Sequence, residues 1–141
     1  MKHTFQILPG TDHQQVIEFL EDRIYEHNSK TVNKENGRLF SLVMRSVEMD
    51  IIAGIAGWTW ANACEITQLW VDVSFRKNGL GSSLLKTAEA EAKSKGCQTI
   101  LVRSYDFQAP AFYISHGYSI QHIIDGFPPG HRYHILLKTI S

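Results

Sequence analysis

The stretch VDVSFRKNGLGSSLLKTAEAEAKSKG, Val71 to Gly96, decides how this chain is read. Gly79 and Gly81 stand one residue apart, just after Arg76 and Lys77. Leu84, Leu85, Ala88 and Ala92 then recur at helical spacing, and Gly96 stands where a helix stops. The spacing predicts a turn followed by a helix over residues 81–95. Glycines at the turn allow positive φ and leave no side chain between backbone and ligand. The free N–H groups from Asn78 to Ser82 would add to the helix dipole and make an anion site, with Arg76 and Lys77 beside it. A pyrophosphate is the natural guest. The P-loop pattern G-x-x-x-x-G-K-[ST] is absent from the sequence. The dinucleotide fingerprint fails too, because Leu84 stands where its third Gly belongs and no early strand leads into the turn.

The neighbouring segments frame this unit. HTFQIL (3–8) reads as a first strand. TDHQQVIEFLEDRIYEHN (11–28) reads as a helix capped by Thr11 or Asp12, with Val16, Phe19, Leu20 and Ile24 on one face. SKTVNKENG is polar and reads as a loop. RLFSLVMRSVEMDIIAGIAGWTW reads as a hairpin turning near Glu48–Asp50, and CEITQLWVDV as the strand that enters the glycine turn. After the helix come a strand in QTILVRSY, a short helix in QAPAFYISHG, and two strands in YSIQHIID and RYHILLKTI joined by GFPPGH. Strand, glycine turn, helix and strand imply a parallel crossover, and the flanking hairpins imply antiparallel pairs. The expected fold is α/β: one domain over residues 1–141, with a mixed, mostly antiparallel sheet and helices on both faces.

Composition narrows the function. The 141 residues suit one domain. Formal net charge is zero, which argues against coating nucleic acid or an anionic membrane. Cys64 and Cys97 lack ligand-like spacing and read as reduced thiols. The N-terminus does not read as a signal peptide and no apolar run would span a bilayer, so a cytoplasmic protein is expected. His131 and His134, three apart on a strand, would point to opposite faces, so no metal is expected.

LWVDVSFRKNGLGSSLL resembles the acetyl-CoA-binding motif of the GNAT superfamily of N-acetyltransferases, [Q/R]-x-x-G-x-[G/A], between an apolar strand and a helix. IIAGIAGW resembles the preceding strand of that family, and QAPAFYISHGY its later helix with a Phe-Tyr pair. The three lie in the expected order, from about residue 50 to 120. The resemblance implies a GNAT-like acyl-CoA N-acyltransferase fold. It also implies acetyl-CoA as cosubstrate and direct acetyl transfer to a primary amine of a small molecule or peptide. Homodimers are common in such a family, and the C-terminal strands would supply the contact.

The same resemblance assigns residues. Val71 and Val73 would offer backbone groups to pantetheine on a strand splayed from its neighbour. The amides of Arg76, Lys77, Asn78, Gly79, Leu80, Gly81 and Ser82 would hold the pyrophosphate. Gln108 stands where many members have an Asn that touches pantetheine. An N–H near Val71 would polarise the thioester carbonyl. Tyr113 would donate a proton to the departing thiolate, its bland alternative being a core aromatic; Tyr118 reads as packing. Glu65, eleven residues before Arg76, is the candidate base, its alternative being a solvated carboxylate. Asp72 differs from Glu65 in strand parity and falls on the opposite face unless a bulge intervenes. Trp58 and Trp60 share a face and either fill the core or line the acceptor cleft. His131 and Arg132 reach toward an acceptor or simply end a rigid hairpin. Two rival readings remain: a catalytically silent acyl-CoA-binding module of the same fold, and a small α/β domain holding another phosphate ligand.

Overall fold

A computed structural model describes residues 5–140. The chain forms two compact units, one up to Glu35 and one from Asn36 onward. In the first, helix α1 spans His13–Val32. Asp12 caps it by accepting a hydrogen bond from the Gln15 amide, and Asn33 closes it in the left-handed conformation. The helix therefore takes in Ser29–Val32, whose polarity predicts a loop. Thr31 Oγ1 bonds back to the His27 carbonyl at 3.0 Å, so this polar turn satisfies itself without leaving the helix. Phe5–Leu8 forms no strand; His3 and Thr4 lie outside the described residues.

The second unit is built on a six-stranded sheet in the order β1-β2-β3-β4-β6-β5. The strands are β1 Arg38–Arg45, β2 Ile51–Trp60, β3 Ala63–Val71, β4 Thr99–Tyr105, β5 Ser119–Asp125 and β6 Arg132–Thr139. β3 and β4 are parallel, joined by helix α2 (Leu80–Ser94); every other neighbouring pair is antiparallel. Helix α3 (Pro110–Ser115) follows β4, with Pro in its first turn where no N–H is needed. This is the mixed, mostly antiparallel sheet that the alternation of segments predicts.

The expected stripe Leu84, Leu85, Ala88 and Ala92 is the buried face of α2. It packs on Ala53 and Ile55 of β2, Cys64 and Ile66 of β3, and Ile100 and Val102 of β4 within one buried cluster. Each fully buried Leu or Ile contributes about 2 kcal/mol, so these side chains fix where α2 starts. A polar clamp adds to them. Tyr118 Oη donates to Glu89 Oε2 at 2.8 Å, and Lys138 Nζ donates to the same oxygen at 3.0 Å. Burial, reinforced by Glu89, drives the Tyr118 phenol well above its ordinary range and keeps it neutral.

One irregularity interrupts the β2–β3 pair. β2 pairs Ala56 with Gln68 and then Gly57 with Ile66, which leaves Thr67 as an extra residue in β3. A Cβ at Gly57 would overlap the Glu65 carbonyl, so only glycine fits opposite the bulge. The bulge switches parity. Cys64 and Ile66 face the core before it, and Leu69 and Val71 pack against the core after it.

Candidate active site

β3 and β4 stay together for only four residue pairs, from Ala63–Thr99 to Ile66–Val102. Beyond Ile66 they part. Thr67–Val71 then has β2 on one side and no ladder partner on the other, so part of its backbone is available to a ligand. The gap opens into a cleft of about 850 Å³. Thr67, Leu69, Trp70 and Val71 form one wall, and Ser104, Phe107, Gln108, Phe112 and Tyr113 the other.

The glycine turn closes one end of the cleft. Arg76, Lys77, Gly79, Leu80, Gly81 and Ser82 all line it. Gly79 is the N-cap of α2, with φ of 74°, and no side chain caps the helix. The first helical amides lack intrahelical acceptors and carry the positive end of the dipole. Gly81 is an ordinary helical residue; an added Cβ would lie 3.5 Å from Phe112. The left-handed geometry falls instead on Gly79 and on Lys77, whose φ is 65°. Arg76 Nε donates to the Val71 carbonyl at 2.9 Å and ties the strand end to the turn. Ser82 Oγ lies 2.9 Å from His116 Nε2, which joins the start of α2 to the end of α3.

Several expected residues stand elsewhere. β3 ends at Val71, because the Asp72 carboxylate accepts from the Ser74 amide and curls the chain into a short 3-10 turn, Val73–Phe75. Val73 is thus off the strand, 73% exposed, and outside the cleft wall, which corrects its expected place on the strand that enters the glycine turn. Asn78 is also absent from the wall; its side chain bonds the Phe75 and Arg76 carbonyls. The bulge overturns the parity argument for Asp72, though that carboxylate is already committed to Ser74. Trp58 and Trp60 are half-buried on the face of β2 opposite its buried residues, and Trp70, not singled out beforehand, is the tryptophan that lines the cleft.

Gln108 lines the cleft. Its Oε1 accepts from the Tyr105 amide at 2.7 Å, leaving its two N–H donors for other partners. Tyr113 lies in the wall and is 7% exposed; burial pushes its phenol up to about 12. It is therefore neutral and a hydrogen-bond donor at any ordinary pH. Glu65 sits one residue before the strands part, and its Oε2 lies 3.5 Å from Arg103 Nε; Arg103 lines the cleft.

An apolar strand parted from its parallel neighbour, running into an uncapped glycine-led helix, is the arrangement that the resemblance requires. The family model described as acetyltransferase (GNAT) family matches residues 6–118. The chain belongs to the GNAT acetyltransferase family. It is 39% identical over 95 residues to the blasticidin-S acetyltransferase of Streptomyces morookaense, covering 64% of this chain and 68% of that one. An acetyltransferase structure from Bacillus cereus ATCC 14579 superposes with a TM-score of 0.79 at 35% identity, covering 96% of this chain and 97% of that one. An aminoglycoside 6'-N-acetyltransferase complexed with coenzyme A superposes with a TM-score of 0.66 at 20% identity, over 73% of each chain. This GNAT enzyme is an N-acetyltransferase with a mostly antiparallel six-stranded sheet. Among the described residues, no helix is long and apolar enough to cross a membrane.

Proposed function

We propose that this chain moves the acetyl group of acetyl-CoA to a primary amine on a small antibiotic-like molecule. One observation carries the reading: the parted β3–β4 ladder and the uncapped start of α2 share a single cleft. The named activity of the Streptomyces relative supports an amine-bearing antibiotic as acceptor. The family match runs from the first unit into the second, which supports one catalytic domain.

Acetyl-CoA, when bound, supplies an activated thioester. The amides from Lys77 to Ser82, without Asn78's side chain, hold the pyrophosphate, and the free edge of Thr67–Val71 pairs with pantetheine. Gln108 offers its N–H donors to the same arm. An amide near Val71 meets the carbonyl oxygen as it gains charge; such a donor is worth about a hundredfold in rate. Tyr113 hydrogen-bonds the departing sulfur. A thiol titrates near about 8.5 in water, so a phenol at about 12 keeps its proton and acts chiefly as a donor to the thiolate. Glu65 takes the ammonium proton through water. Its ion pair with Arg103 orients it.

The test is a calorimetric titration with acetyl-CoA and, separately, ATP, followed by thiol release with blasticidin S as acceptor. Binding of acetyl-CoA but not ATP, with acetyl-CoA-dependent acetylation, is the expected result. Absence of acetyl-CoA binding sinks the reading of the cleft. Binding without acetylation of blasticidin S, aminoglycosides or simple amines would point to a silent binding module. Glu65→Gln should lower kcat/KM about a hundredfold at neutral pH, with the loss shrinking as alkali neutralises the amine; an equal loss at every pH would remove Glu65 as base.

A further inference from the structure

We propose that the acceptor carries a planar ring, held against Phe107 and Phe127 beside the cleft; this deepens the acetyl-transfer reading and rests on it. Four rings from three segments meet at the open end of β4. Tyr105 ends that strand, and Tyr133 faces it across the β4–β6 register with centroids 4.4 Å apart. Phe107 stacks on Tyr105 at 5.0 Å and 4°. Phe127, from the turn between β5 and β6, stacks on Tyr133 at 5.4 Å and 23° and lies 6.4 Å from Tyr105.

The outer members are not spent on the core. Phe107 is 59% and Phe127 53% exposed, while their inner partners Tyr105 and Tyr133 are half-buried. Exposed aromatic faces set on a built stack mark a binding surface more than a packing one. Phe107 is also part of the cleft wall, beside Gln108 and Ala109, so an amine tethered by a few bonds to a ring held here enters the cleft.

The charges nearby argue for the ring over a bare cation. Asp106 is already engaged: its Oδ1 lies 3.0 Å from His131 Nδ1 and its Oδ2 accepts from the Arg132 amide at 3.0 Å. Asp125 is paired with Arg132 at 2.8 Å. A polyamine without a ring would find these carboxylates occupied, whereas a flat ring finds Phe107 and Phe127 each more than half exposed, with the His131 ring set at 80° to Phe107 and 5.0 Å from it as a further flat partner.

The experiment compares 2-phenylethylamine with 2-cyclohexylethylamine, which match in tether and charge but differ in planarity. Calorimetry on the full chain with CoA present reads each affinity. The planar amine should bind about three- to tenfold more tightly, the range expected for a stacked pair. Phe127→Leu, which keeps apolar bulk, should erase that preference, and Phe127→Tyr should keep it. Equal affinities, no binding of either amine, or a preference that survives Phe127→Leu overturns the proposal. A preserved preference without acetyl-CoA-dependent thiol release would leave the ring site standing and remove the acetyl-transfer reading of the cleft.

Discussion

The two ends of the β3–β4 pair are made from the same strands and serve opposite ends. At the closed end Cys64, Ile66, Ile100 and Val102 are buried under α2, and the ladder is complete. At the open end the ladder stops, Trp70 and Phe107 stay half-exposed, and an uncapped helix start faces the gap. The closed end supplies the stability that lets the open end leave polar backbone unpaired. A site for an extended thioester needs both: a rigid frame and a missing strand.

Gly81→Glu should break the open end most severely. A carboxylate placed among the helix-start amides opposes an anionic ligand, and like-charge contacts cost several kcal/mol. Acetyl-CoA affinity should fall at least about a hundredfold by calorimetry. Gly81→Ala should bind almost normally, because its Cβ meets Phe112 at an ordinary 3.5 Å. If the alanine variant fails equally, the loss comes from packing and the anion site is misplaced.

Gly57→Ala strikes the junction between the ends. Its methyl would collide with the Glu65 carbonyl, so either the bulge or the ladder must shift. Urea unfolding should show a loss of about 2 kcal/mol or more. A variant of native stability would mean that the bulge at Thr67 is soft, and the divergence of the strands would need another cause.

Tyr113→Phe has the smallest expected effect, about tenfold in kcat with KM for acetyl-CoA nearly unchanged, since donation to sulfur matters only late in the reaction. The phenol titrates near 10 when unfolded and at about 12 when buried. The folded state therefore holds its proton more tightly, and stability is lost as pH rises from about 10 towards 12. Alkaline unfolding of Tyr113→Phe should lack part of that loss. An unchanged alkaline profile would show that Tyr113 is not the buried phenol responsible.

The glycine turn and its helix were legible because both signals are local. Leu84, Leu85, Ala88 and Ala92 repeat with the helix period, and Gly79 stands where a positive φ is required. The bulge was not legible. Nothing in CEITQLWV marks Thr67 as extra; that follows from Gly57 on another strand, through register. Val73 was misplaced for a related reason, since a strand-like residue was overruled by the side chain of Asp72. Val32 and its neighbours read as loop because polarity suggested it, yet the helix found no left-handed stop until Asn33. Of the aromatic patch, local sequence marks only the turn GFPPGH, through its Pro and Gly residues. Its members belong to three segments that meet only after β4 and β6 pair.

Asp106 gives the β5–β6 turn a separate anchor. Burial alone would raise its carboxyl, but the Arg132 amide and the His131 ring more than offset that and hold it below the usual range. The anchor joins Asp106, on the segment after β4, to His131 and Arg132, so residues 126–130 can change length or sequence without touching it. The acetyl-donor half of the cleft, carried by β3 and α2, is untouched by such changes. If the proposed ring site at Phe127 holds, acceptor choice and acetyl handling are separable, and grafting this one turn between relatives should change amine preference while leaving acetyl-CoA affinity as it is.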